Sequence, residues 1–191
     1  MFKILVIILV ILYPSLGSSH SPILNNDKYK MTQNDPYFIK NPEHSKAIFS
    51  ELKGRDHYYK IESKIPFKFY VGITTPKLDT CDRLDYFSFE ILDSNLKKID
   101  NRDGKSFEWW AWYEEYGKKW YWVGPELGKK FAANRSYKAG TYYIRVFNEQ
   151  NTGKYVLAVG DIEKFPLTSI PRVIFTVRKV NKIFWSESNC K

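Results

Sequence analysis

The chain is predicted to be all-β, an antiparallel β-sandwich of jelly-roll type, on three observations. Short stretches that alternate apolar and polar residues recur from Ala47 to Gly160. Turn residues separate them at spacings of roughly eight to twelve, as in sandwiches and barrels. No long helical period appears before residue 165, and a basic amphipathic segment follows it.

The first seventeen residues read as a targeting signal. Lys3 supplies a positive start, Ile4 to Leu12 is an unbroken apolar run, and Tyr13-Pro14 breaks it. Ser15-Leu16-Gly17 then offers small residues at a cut following Gly17. The nine-residue run is short for a bilayer-spanning helix, which needs about twenty. No Cys follows it to carry a bacterial-type lipid anchor. The chain is therefore expected to be exported, secreted or held at the cell surface, with about 170 residues left for one domain with a real core.

Residues 18–43 are polar with Pro22, Pro36 and Pro42 as breakers, and read as an extended, partly disordered lead-in. The sandwich domain is expected over 44–164. Ala47 to Leu52 is the first strand, and Lys53-Gly54-Arg55-Asp56 a turn. Tyr58 to Glu62 alternates as a second strand. Phe67 to Thr74 is a third, with Phe67, Phe69, Val71 and Ile73 on one face. Tyr86 to Leu92 is a fourth, followed by turn chemistry at Asp93-Ser94-Asn95 and Asp100 to Gly104. Thr141 to Asn148 and Gly153 to Gly160 read as a hairpin. Pairing Asn148 with Gly153 sets Tyr142, Ile144 and Val146 opposite Val159, Leu157 and Tyr155 on one apolar face.

The densest feature lies between these strands. Phe107 to Val123 (FEWWAWYEEYGKKWYWV) holds all but one of the six tryptophans and is predicted to be a hairpin ended by Gly124-Pro125. Its register pairs Glu114 with Lys119. One face then carries Phe107, Trp109, Ala111, Tyr113, Trp120 and Trp122, almost wholly apolar and expected in the core. The other carries Glu108, Trp110, Trp112, Glu114, Lys119, Tyr121 and Val123. Three aromatics among three charges suit neither an ordinary core nor an ordinary solvated face. Trp110, Trp112, Tyr121, Glu108, Glu114 and Lys119 are therefore the candidate ligand-binding residues. Aromatic platforms edged by carboxylates hold sugar rings, and Trp and Tyr also serve protein contacts. The alternative is that Trp110, Trp112 and Tyr121 lie under the tail or under the 126–139 connection.

From Arg172 to Trp185 the apolar residues Val173, Ile174, Val177, Val180 and Phe184 fall at helical spacing. This predicts a helix within the basic extension 165–191, although its β-branched content keeps a final strand over Val173 to Val177 open. Such a helix packs on the sandwich or lies on a membrane surface. In the second case Arg172, Arg178, Lys179, Lys182, Phe184 and Trp185 are the contact candidates.

Three stretches together resemble a known family: Leu52-x-Gly54-x-Asp56-x-Tyr58-Tyr59-Lys60-Ile61, Gly140-Thr141-Tyr142-Tyr143-Ile144-Arg145-Val146, and Gly153-Lys154-Tyr155-Val156-Leu157-Ala158-Val159. They are similar to the bacterial pre-peptidase C-terminal domain, within uncharacterised exported proteins of archaea and bacteria. The resemblance covers residues 45–165 and implies a small β-sandwich in an accessory, non-catalytic role. The chain departs from the pattern in its tryptophan cluster and in having no peptidase attached.

Composition narrows the chemistry. The formal charge of +9 favours anionic surfaces, and export argues against nucleic acid as a partner. No Gly-x-Ser-x-Gly, phosphate loop or dinucleotide fingerprint occurs, and His20, His44, His57 and Cys81 lack nucleophile or zinc spacing. No cofactor is expected. Calcium stays open on the loops at Asp79, Asp82 and Asp85 or at Asp100 and Asp103, which place hard oxygen ligands as calcium prefers. Cys81 and Cys190 can pair or stay free, and Asn134-Arg135-Ser136 is a glycosylation sequon. The leading function is a non-catalytic binding or adhesion module that contacts envelope glycan or a surface protein through an aromatic face. The rivals are a carbohydrate-active hydrolase using Glu108, Glu114 or Glu115, and a structural envelope protein held on membrane by its basic tail.

Overall fold

A computed structural model describes residues 20–25, 30–79, 84–115, 117–164 and 167–186. The targeting segment 1–17, Asp82 and both cysteines lie outside the described residues. In chain order the strands are β1 (Ser21–Leu24), β2 (Tyr37–Phe38), β3 (Lys46–Lys53), β4 (His57–Ser63), β5 (Phe67–Lys68) and β6 (Val71–Pro76). Then come β7 (Ser88–Leu92), β8 (Lys98–Arg102), β9 (Trp110–Glu114), β10 (Lys119–Leu127), β11 (Ser136–Tyr137), β12 (Gly140–Phe147) and β13 (Thr152–Val159). Helix α1 spans Ile170–Phe184.

Two sheets stack face to face. One has the order β1-β3-β13-β6-β10-β9, the other β2-β4-β12-β7-β8, and β11 pairs with β5 beside them. All pairings are antiparallel except β1 on β3 and β2 on β4. This is the expected β-sandwich. The alternation seen in sequence fills the space between the sheets. Ile48, Leu52, Tyr155, Leu157, Val159, Val71 and Ile73 come from one sheet, and Tyr59, Ile61, Ile144, Val146, Phe89 and Ile91 from the other. The polar atoms in this core are joined to one another. Tyr155 OH meets His57 Nδ1 at 2.8 Å and Tyr59 OH at 2.7 Å, and Tyr59 OH donates to Ser50 Oγ at 3.3 Å. Burial pushes both phenols well above their usual range, so they stay neutral donors and acceptors.

Helix α1 forms a third layer on the outer face of the first sheet. Val180 and Phe184, one turn apart, pack with Phe49, Val156 and Tyr121, flanked by Leu24, Ala47, Trp112, Ile183 and Trp185. A buried apolar stripe of this kind outweighs the weak helix propensity of its β-branched residues.

Four sequence expectations are corrected. β12 and β13 are not a hairpin: β12 pairs with β4 and β7, and β13 with β3 and β6. The turn between them crosses from one sheet to the other. Their alternating apolar residues therefore face each other through the core instead of sharing one face. The lead-in is also part of the domain, because β1 and β2 extend the two sheets and Met31 and Ile39 are fully buried in the core. Gly124-Pro125 ends the ladder with β9, as expected, but the connection expected from Glu126 does not begin there. β10 runs on to Leu127 through a register shift between Val123 and Glu126, where a bulge tolerates the proline. Lys98–Arg102, read in part as turn, is an edge strand that pairs with β7.

Candidate functional site

The tryptophan hairpin sits at the edge of the six-stranded sheet with the expected register. Lys119 pairs with Glu114, Trp120 with Tyr113, Tyr121 with Trp112, Trp122 with Ala111 and Val123 with Trp110. Glu114 also fixes the turn, its carboxylate accepting from the Gly117 amide at 2.5 Å.

One face lies where the alternative placed it, under the tail and the 126–139 connection, and the other departs from the expectation. The face bearing Trp110, Trp112 and Tyr121 points to the helix side. Tyr121 is 8% exposed, and Val123 is buried beside it. A file of rings runs across this face. Phe131 lies against Trp110 (6.1 Å between centroids) and Trp112 (5.4 Å), Trp112 against Tyr121 (5.9 Å), and Tyr121 edge-on to Trp185 (5.0 Å). Lys119 Nζ stands 5.8 Å over the Trp185 ring, and the Trp185 indole N–H donates to the Trp120 carbonyl at 3.2 Å. Trp110, at the end of the file, remains 44% exposed. Glu108 is exposed and Glu114 half-buried.

Phe131 reaches this position through a strained turn. Lys129 and Ala132 exchange backbone hydrogen bonds of 3.0 and 3.1 Å around Lys130 and Phe131, whose φ values are 51° and 63°. Two left-handed non-glycine residues cost about 1 kcal/mol each. The Glu126 carboxylate holds them, accepting from the Lys130 amide at 2.8 Å and the Phe131 amide at 3.1 Å.

The opposite face was expected in the core and is largely open. Ala111 is exposed, Trp120 is 42% exposed, and Phe107, Tyr113 and Trp122 are half-buried. The reason is the length of the hairpin. Leu127, at the base of β10, reaches the core between the sheets. Arg102 on β8, the last strand of the second sheet, donates from Nε to the Glu126 carbonyl at 3.0 Å. Nearer the tip, Trp122 and Trp120 belong to neither apolar core. Of the aromatics expected there, Trp109 alone packs on the main core. Its ring lies over Gly124, where any side chain would collide with it, and its indole N–H donates to the Gly104 carbonyl at 2.7 Å.

The open rings form a platform. Tyr113 and Trp120 are cross-strand neighbours at 5.3 Å, Trp122 stands opposite the small Ala111, and Lys77 Nζ lies 5.3 Å from the Trp122 ring centroid. Beyond Trp109, Tyr86 meets it edge-on at 6.3 Å and borders an open cleft of about 400 Å³ with Asp85, Lys105, Asn148 and Glu149.

The other sequence candidates divide as follows. Phe184 is 2% exposed and closed to a membrane, and Trp185, half-buried, packs on Tyr121. They occupy the sheet-facing side of α1. Arg172, Arg178, Lys179 and Lys182 are exposed. The Asp100 carboxylate is engaged by both Arg102 and Arg135, and Asp103 accepts from the Lys105 amide, which leaves that loop poorly suited to calcium. The other acidic loop runs through residues outside the description. His20 bonds Ser45, and Asn134 of the sequon is exposed.

Sequence reasoning overlooked Phe131, Lys77 and the openness of Trp120 and Trp122. Phe131 sits in a polar connection with no periodicity to mark it. No family model matches the chain, and no curated protein matches it. The site itself therefore carries the functional reading.

Proposed function

We propose that the protein is an exported, non-catalytic binding module that holds a cell-envelope glycan against the open face of its tryptophan hairpin. One observation carries this reading: Tyr113, Trp120 and Trp122 form a row of accessible rings on two paired strands. The C–H faces of sugar rings stack on such surfaces, and aromatic side chains bring large contact area at little entropic cost. Lys77 at the edge supplies a donor for hydroxyl or acidic groups. The strand pairing fixes the spacing of the rings before any ligand arrives, which lowers the cost of binding.

The hydrolase alternative draws less support. Glu114 ends β9, which from Trp110 spans on the order of 13 Å at a strand's rise per residue, and Glu108 precedes that strand. Paired glycosidase carboxylates stand within about 10 Å. Glu114 is also committed to the turn of the hairpin.

The test is a titration of envelope polysaccharides followed by tryptophan fluorescence. The wild-type chain is expected to respond. Trp120→Ala and Trp122→Ala should lose the response with the fold intact, and Trp110→Ala should keep it. Silence toward every envelope glycan, or loss with Trp110→Ala alone, overturns the reading.

A further inference from the structure

Helix α1 has two unlike sides. Val180 and Phe184 face the sheet, and from Thr168 to Ser186 every charged residue is basic: Arg172, Arg178, Lys179 and Lys182. All four are exposed, and among the described residues none has an ion-pair partner. At positions −3, +3, +4 and +7 from Phe175, they surround it on the helix surface. The Phe175 ring is 69% exposed, and Ile174, at 48%, lies next to it, while Ile170, at 47%, lies round the helix toward the side of Phe184. A single exposed apolar side chain is ordinary. An exposed ring with an exposed isoleucine next to it, set among four cations, makes a patch with a definite chemistry.

We propose that this outward face of α1 docks the domain on an anionic lipid bilayer. Phe175 and Ile174 enter the headgroup region, and the four cations lie on the lipid phosphates. Charge complementarity selects an anionic partner, and the apolar side chains select lipid over a soluble polyanion, which has no interior to bury them. The stripe already spent on the sheet keeps the helix parallel to the protein surface, as an interfacial helix requires. Among the described residues no helix is long and apolar enough to cross a membrane. The contact is therefore peripheral for this helix and sensitive to salt. It does not rest on the glycan reading, since the hairpin's open face contributes nothing to it.

The experiment is co-sedimentation of the full chain with vesicles of mixed phosphatidylcholine and phosphatidylglycerol, and with vesicles of phosphatidylcholine alone. Every variant keeps the same N-terminus, so any contribution of the apolar run 4–12 is common to all arms. The wild-type chain is expected to prefer the anionic vesicles and to dissociate as salt is raised. Arg178→Glu combined with Lys179→Glu should weaken binding by at least about tenfold, from roughly fivefold per cation removed. Phe175→Ser should weaken vesicle binding severalfold yet leave binding to dextran sulfate unchanged. Circular dichroism confirms that these exposed substitutions leave the fold intact. Equal binding to neutral vesicles, or binding that survives either set of substitutions, overturns the lipid assignment. Dependence on the cations without dependence on Phe175 would point to a polyanion instead.

Discussion

The two faces of the tryptophan hairpin are built from the same residue types and meet opposite fates. On one, Trp112 and Tyr121 are held between Phe131 and Trp185. On the other, Tyr113, Trp120 and Trp122 stand open beside Lys77. The closed face carries more charge in sequence, with Glu108, Glu114 and Lys119, while the open face is nearly all apolar. Cover is thus decided by what lies above each face. Helix α1 and the 128–132 turn lie over one, and the second sheet stops short of the other. Aromatics under cover contribute to stability, and those left open remain accessible to water.

That contrast can be broken by truncating one ring on each side. Tyr121→Ala should cost about 3–5 kcal/mol in urea unfolding, because it empties a packed site between the sheet and α1. Trp120→Ala should change stability by about 1 kcal/mol or less, as exposed positions do. Equal costs would mean that the open face is also structural.

A smaller effect of opposite sign should come from the turn that presents Phe131. Lys130 is exposed and left-handed, and asparagine tolerates that conformation better. Lys130→Asn should raise stability by roughly 0.5–1 kcal/mol without altering the hairpin. A loss would show that the Lys130 side chain does something its exposure does not reveal.

Neither face of the hairpin should respond to the titration of His20. His20 belongs to the opposite edge of the same sheet, where burial lowers its pKa to about 4 against the pull of Glu163 and Asp161. A depressed histidine favours the neutral form in the folded state. The unfolded chain therefore binds more protons between the ordinary value near 6.5 and about 4. This contribution is fully present above pH 6.5 and is lost as pH falls through the window. His20→Gln should flatten the stability profile there, and tryptophan emission from the hairpin should stay constant until the chain unfolds. Emission that titrates with His20 would show that the two sheet edges are coupled.

Much of this was legible locally. Alternation marked most of the core: Ile48, Tyr59, Phe69, Ile73, Ile144 and Leu157 lie where a period of two places them. The hairpin's register followed from its own turn and paired residues, and α1 from the spacing of Val180 and Phe184. The partners of β12 and β13 were not legible, because strands joined by a short turn show the same alternation whether they pair in one sheet or face each other across two. The open platform was hidden for a related reason. An apolar face identifies what favours burial, and whether anything is there to bury it depends on strands and loops distant in sequence.

The sequence by itself determined the β class, the strand faces, the hairpin register and the basic amphipathic helix, all of which follow from backbone periodicity and residues close along the chain. Only the tertiary structure decided which sheet each strand joins, which hairpin face is closed and which side of α1 remains outside. Those outcomes depend on long-range packing, where the ends of the second sheet, the strained turn at Phe131 and the docking of Phe184 settle what water can reach.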